Sequence, residues 1–155
     1  MKSLVVYYSR TGNTKKVGEE IAKTLGADSD EIVDRKNRQG ILGWLKAGWD
    51  ARRGKRPEIE VQKDPRDYDL IIVGTPIWGG KMTPAVRTYL NDYDFTDKKM
   101  AFFTTEMGGK PVETIEEMEE IAAEAQIKGS LCIKQDDIQN NNYEAQLSDF
   151  LQDLE

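Results

Sequence analysis

Three short segments carry the residues best suited to binding chemistry. Ser9-Arg10-Thr11-Gly12-Asn13-Thr14 sets three hydroxyls, an amide and a guanidinium around one glycine. At the start of a helix, such a segment holds a phosphate through free backbone N–H groups, hydroxyl donors and the positive end of the helix dipole. Its glycine spacing is neither that of a Walker A loop nor that of GxGxxG. Thr75-Pro76-Ile77-Trp78-Gly79-Gly80-Lys81 places a tryptophan beside paired glycines, which suits a flat aromatic ligand approached closely by backbone. Thr104-Thr105-Glu106-Met107-Gly108-Gly109 is a third segment of the same kind, with Glu106 as the one carboxylate in the three. Each alone also reads as an ordinary turn, the first with its N-cap at Gly12 or Asn13. Their coincidence is more specific than any one of them.

The elements that must position these segments follow from hydrophobic periodicity. Leu4–Tyr8 reads as a strand, and Val17, Ile21, Ala22 and Leu25 recur at helical spacing up to a stop at Gly26. Ser29–Val33 is a weaker strand, while Tyr68–Val73, Lys99–Thr104 and Ser130–Ile133 complete a set of five. Helices are expected from Pro84 through Leu90, over Val112–Ala125 and over Tyr143–Leu154. Apolar runs alternating with helical patterns predict a parallel sheet covered on both faces. All three segments then follow strands, at the carboxyl edge where ligands bind in open α/β sheets.

The 155 residues predict one domain, 1–155, able to bury roughly 68–70 % of its unfolded surface. With no His and a single cysteine, Cys132, the chain has no Ser-His or Cys-His catalysis, internal disulfide, CxxC motif or usual zinc set. Cys132 itself reads as a small buried apolar residue of the fifth strand. The net charge of −6 argues against nucleic-acid binding. An insertion at about 35–56 holds eight basic residues and one acid, +7, leaving −13 for the rest. Its Ile41, Leu42, Trp44, Leu45 and Trp49 share one face of a possible helix, although Gly43 and Gly48 weaken that helix as a membrane anchor. No membrane partner is expected, and the apolar run Met1 to Tyr8, interrupted by Arg10, is too short for a targeting signal, so the expected compartment is the cytoplasm.

The segments Tyr7-Tyr8-Ser9-Arg10-Thr11-Gly12-Asn13-Thr14, Gly74-Thr75-Pro76-Ile77-Trp78-Gly79-Gly80 and Phe102-Phe103-Thr104-Thr105 resemble those of the short-chain, FMN-binding flavodoxin-like family. The resemblance implies a doubly wound five-stranded parallel sheet in the order 2-1-3-4-5, an order taken from the family and not from periodicity. It also implies FMN as cofactor. Ser9 to Thr14 would then wrap the phosphate, Thr75 to Gly80 would flank the isoalloxazine ring, and Thr104 to Gly109 would line its other side near the pyrimidine edge. The Gly79-Gly80 peptide is the one expected to reorient as the ring takes up an electron. Many family members stack a tyrosine from the third segment; here Met107, Trp44 or Trp49 is left to cover that face. The implied function is a low-potential one-electron carrier between redox proteins, a reductase or an iron-sulfur protein, docking by charge complementarity. An FMN-dependent NAD(P)H:quinone, flavin or metal reductase is the alternative. A monomer is the default, with the tryptophans of the insertion a possible dimer contact.

Overall fold

The structure is a computed structural model that describes residues 1–35 and 57–155. Five parallel strands form its centre: β1 (Ser3–Tyr7), β2 (Asp28–Glu31), β5 (Leu70–Trp78), β7 (Lys99–Glu106) and β8 (Gln126–Lys134), in the order β2-β1-β5-β7-β8. Counting only these five, the order is 2-1-3-4-5. Two short strands, β3 (Val33–Asp34) and β4 (Ile59–Glu60), pair antiparallel, and β6 (Lys81–Met82) folds back on β5 as a hairpin. Among the described residues the α-helices are α1 (Asn13–Leu25), α2 (Pro84–Asp92), α3 (Pro111–Ile121), α4 (Gln135–Gln139) and α5 (Glu144–Asp153).

Side chains alternate across the sheet. Leu4, Val6, Ile71, Val73, Met100 and Phe102 face Ala85, Val86 and Tyr89 of α2 and Ile115 and Met118 of α3. Val5, Tyr7, Ile72, Ala101, Phe103, Leu131 and Ile133 face Val17 and Ile21 of α1 and Leu147 and Phe150 of α5. Central strands buried on both faces must be apolar throughout, which is why β1, β5 and β7 are legible as runs. Two glycines let large rings into this packing. An ideal Cβ at Gly74 would stand 2.0 Å from the Phe103 ring, and one at Gly18 of α1 would stand 2.5 Å from Tyr7.

The edges differ from the sequence expectations. β2 is Asp-Ser-Asp-Glu, and its buried Asp30 accepts the N–H groups of Gln62 and Lys63, both at 2.8 Å. An edge strand can afford this polarity because its inward carboxylate is satisfied by backbone donors. β8 is longer than Ser130–Ile133, while α3 stops at Ile121, short of Ala125. Cys132 is exposed, a correction to its expected burial. Only alternate residues of an edge strand meet a helix, and Leu131 and Ile133 take the covered side. The helix α4 and the strands β3, β4 and β6 are too short for periodicity to reveal. At the start of the insertion, Arg35 bonds Glu58 at 3.2 Å and Glu60 at 3.1 Å. The expected helix with Trp44 and Trp49 lies outside the described residues. Among the described residues no helix is long and apolar enough to cross a membrane.

Candidate functional site

β1, β5 and β7 end side by side, and the three segments meet at that edge. After β1, Ser9 Oγ accepts the N–H of Gly12 at 3.2 Å. Gly12 takes φ 96°, a left-handed conformation in which a side chain is strained, and it is the N-cap of α1. No side chain caps this helix and no acid occupies its first turn. The N–H groups of Asn13, Thr14 and Lys15 therefore open outward at the positive end of the dipole without an intrahelical acceptor. The nearby lysines are committed elsewhere. Lys15 pairs with Glu31 at 3.4 Å, and Lys16 bonds the Ile138 carbonyl at 3.0 Å and Asn141 at 2.5 Å. Arg10 is half-buried and Thr11 exposed.

The second segment is not a loop through most of its length. β5 runs on through Thr75, Pro76, Ile77 and Trp78, and only Gly79-Gly80 turns. Ile77 pairs with Met82 and Trp78 with Lys81, so the turn has two residues, with φ 58° and 75°. Two positive φ values in a two-residue hairpin are the type I′ pattern, for which paired glycines are well suited. The base is held by Thr75, whose Oγ1 accepts the Thr83 N–H at 3.0 Å and lies 3.2 Å from Thr83 Oγ1. Trp78 is half-buried, and Tyr8 meets it edge to face with ring centroids 5.4 Å apart.

In the third segment Thr104, Thr105 and Glu106 belong to β7, and the turn itself is Met107-Gly108-Gly109. This corrects the expected loop boundary: pairing with β8 continues to Glu106↔Lys134 and keeps the chain extended. Thr105 Oγ1 lies 2.8 Å from Thr14 Oγ1, so a buried hydroxyl pair ties the third strand end to the first turn of α1. Gly108 has φ 98°. Gly109 packs so closely on the second segment that a Cβ there would stand 2.7 Å from Ile77 Cγ2. Glu106 is 8 % exposed, and its Oε2 has no hydrogen-bond partner among the described residues. Met107 is 84 % exposed.

All three segments are thus brought together, through Thr14–Thr105 on one side and Gly109–Ile77 on the other. The sequence reading missed Thr83 as the brace of the hairpin. A threonine ahead of Pro84 at a helix start was the available signal. It also missed the contacts from α3, which reach the hairpin only through tertiary packing. Residues 36–56 of the basic insertion, Trp44 and Trp49 among them, lie outside the described residues, so the second face of the site is not assigned to them. Among the described residues no group of three His, Cys, Asp or Glu is placed to hold a metal ion.

The fold has counterparts among solved structures. A flavoprotein from Lactobacillus acidophilus, in complex with FMN, is 24 % identical over 90 % of this chain and 97 % of its own, with a TM-score of 0.74. Oxidised flavodoxin 2 from Bacillus cereus is 20 % identical over 99 % of this chain and 97 % of its own, with a TM-score of 0.61. An NADH:FMN oxidoreductase in its apo form is 15 % identical over 99 % of this chain and 87 % of its own, with a TM-score of 0.65. At these identities the likeness is one of fold. The family model described as Flavodoxin matches residues 2–144, nearly the whole length, and this chain belongs to the flavodoxin family.

Proposed function

We infer that this chain binds FMN at the carboxyl edge of its sheet and serves as a one-electron carrier between redox proteins. One observation carries the FMN reading: an uncapped helix N-terminus and a glycine hairpin with a half-buried tryptophan sit at adjacent strand ends. The first is built for an anion and the second for a planar ring. The orphaned Oε2 of Glu106 fits the same ligand, because a buried carboxylate oxygen needs a donor and the pyrimidine edge of a flavin offers an N–H.

Ser9, Thr11, Asn13 and the first-turn N–H groups of α1 hold the phosphate, with Thr14 kept in place by Thr105. Thr75 to Gly80 flank the ring. Thr104 to Gly109 line the opposite edge, where Glu106 accepts a hydrogen bond. Bound FMN supplies the redox chemistry, and the protein sets potential and access. The Glu106 carboxylate and the charge of −13 outside the insertion oppose added negative charge at the ring, which suits a low potential. Acidic residues on α3 and α5 steer a basic redox partner by charge complementarity.

The test is an absorption spectrum after loading with FMN and washing, followed by stepwise reduction. Retained flavin bands and two separated one-electron steps are expected. Loss of the flavin on washing refutes the site. Rapid steady-state oxidation of NADH or NADPH by the protein alone refutes the carrier reading in favour of a reductase.

A further inference from the structure

We propose that Glu117 of α3 is a positioning residue for the Gly79-Gly80 hairpin, acting through Lys81. The role of that hairpin toward the ring rests on the FMN reading above. A hairpin arm of two residues, Lys81–Met82, has little stability of its own. Its base is secured by fully buried Met82 and by the Thr75–Thr83 bonds. Its tip has only two glycines and must be held from outside.

The structure places three charges there. Arg87 of α2 is 8 % exposed and donates from Nη1 to Glu117 Oε1, while its Nε is buried without a partner among the described residues. A guanidinium held in this way needs its carboxylate, so Glu117 is fixed to α2. The other oxygen, Oε2, accepts no hydrogen bond among the described residues and lies 3.5 Å from Lys81 Nζ. Lys81 directly follows the turn and is half-exposed, the mobile end of the triad. Thr114, one turn before Glu117, has its Oγ1 3.5 Å from the Gly80 carbonyl, and Lys110 Cδ lies 3.8 Å from where a Cβ on Gly80 would stand. The hairpin tip is therefore docked on α3 by an anion that Arg87 holds in place.

The experiment has two readouts. Amide hydrogen exchange of the FMN-free protein reports the hairpin through peptides covering residues 77–83. FMN titration reports the ring site. Glu117→Gln and Lys81→Met are each expected to speed exchange in 77–83 while β1 and β5 are unchanged. Each is also expected to weaken FMN binding about two- to fivefold, the range of a partly exposed ion pair. Lys81→Arg keeps the wild-type values, and adding Lys81→Met to Glu117→Gln has no further effect. Unchanged exchange and affinity in both single variants, faster exchange across the whole sheet, or additive effects in the double variant would each overturn the proposal. Should Glu117→Gln fail to fold with Arg87 uncompensated, Lys81→Met and Lys81→Arg decide it. Wild-type protein that does not take up FMN refutes the FMN reading alone, because the exchange measurement still tests the latch.

Discussion

Gly74→Ala tests whether the centre of the sheet is packed as tightly as the structure has it. Gly74 sits in β5 between Tyr7 of β1 and Phe103 of β7, immediately before the second binding segment. Its carbonyl accepts the Tyr8 N–H at 3.2 Å. Three atoms of the Phe103 ring lie 2.0, 2.3 and 2.4 Å from the place a Cβ would take. Phe103 is fully buried and has no free direction in which to swing. Overpacking of this kind costs about 3 kcal/mol, the upper end of the usual range. Alanine restricts the unfolded chain more than glycine does, which returns about 0.7 kcal/mol. The net loss is about 2 kcal/mol, or a fall in Tm of roughly 4–8 °C for a chain of this size. Thermal unfolding followed by circular dichroism measures it. Phe103→Leu added to Gly74→Ala shortens the ring at the clash and is expected to recover part of the loss, because residues in contact do not act additively. A Tm that stays the same or rises in Gly74→Ala would refute the packing argument, and a double variant no better than the sum of its parts would refute the assignment to Phe103.

Gly12→Ala meets no neighbouring atom within 4 Å, so its cost is the left-handed backbone alone, about 1–2 kcal/mol. FMN affinity is expected to fall by more than riboflavin affinity, and equal losses for both would remove Gly12 from the phosphate site. Asp30→Ala strips the acceptor from the Gln62 and Lys63 N–H groups and is expected to cost about 2 kcal/mol in urea unfolding. In the pH dependence, burial pushes the Tyr7 phenol up to about 12, and the hydrogen bond to Asp28 pushes Tyr68 up to about 12. Folded values above the unfolded value of about 10 contribute stability fully present below pH 10 and lost as pH rises toward 12. Denaturation melts should therefore weaken across that window, and tyrosine absorbance near 295 nm should show delayed ionisation in the folded protein. Full ionisation of all six tyrosines by pH 10.5 without unfolding would contradict it.

Much of this protein was determined by its sequence. Val5 to Tyr7, Leu70 to Val73 and Met100 to Phe103 are apolar without interruption, and a strand buried on both faces allows nothing else. Gly26 ends α1 where helical periodicity stops, with φ 63° and the Ala27 N–H reaching back to the Ala22 carbonyl at 2.9 Å. The paired glycines of the hairpin were legible because two consecutive positive φ values favour that residue type. What only the tertiary structure decided is where short-range patterns meet long-range partners. β5 and β7 run past Val73 and Thr104 because each finds a neighbour to pair with, and local composition cannot report a ladder partner 28 or 29 residues away. Cys132 is exposed because β8 is an edge, a fact of strand order and not of its flanking Leu131 and Ile133. The Thr14–Thr105 hydroxyl pair and the Lys81–Glu117 and Arg87–Glu117 pairs join residues 30 to 91 positions apart, and the orphaned oxygen of Glu106 lies at the same edge of the sheet. Their chemistry exists only once the sheet has brought those side chains to a common edge.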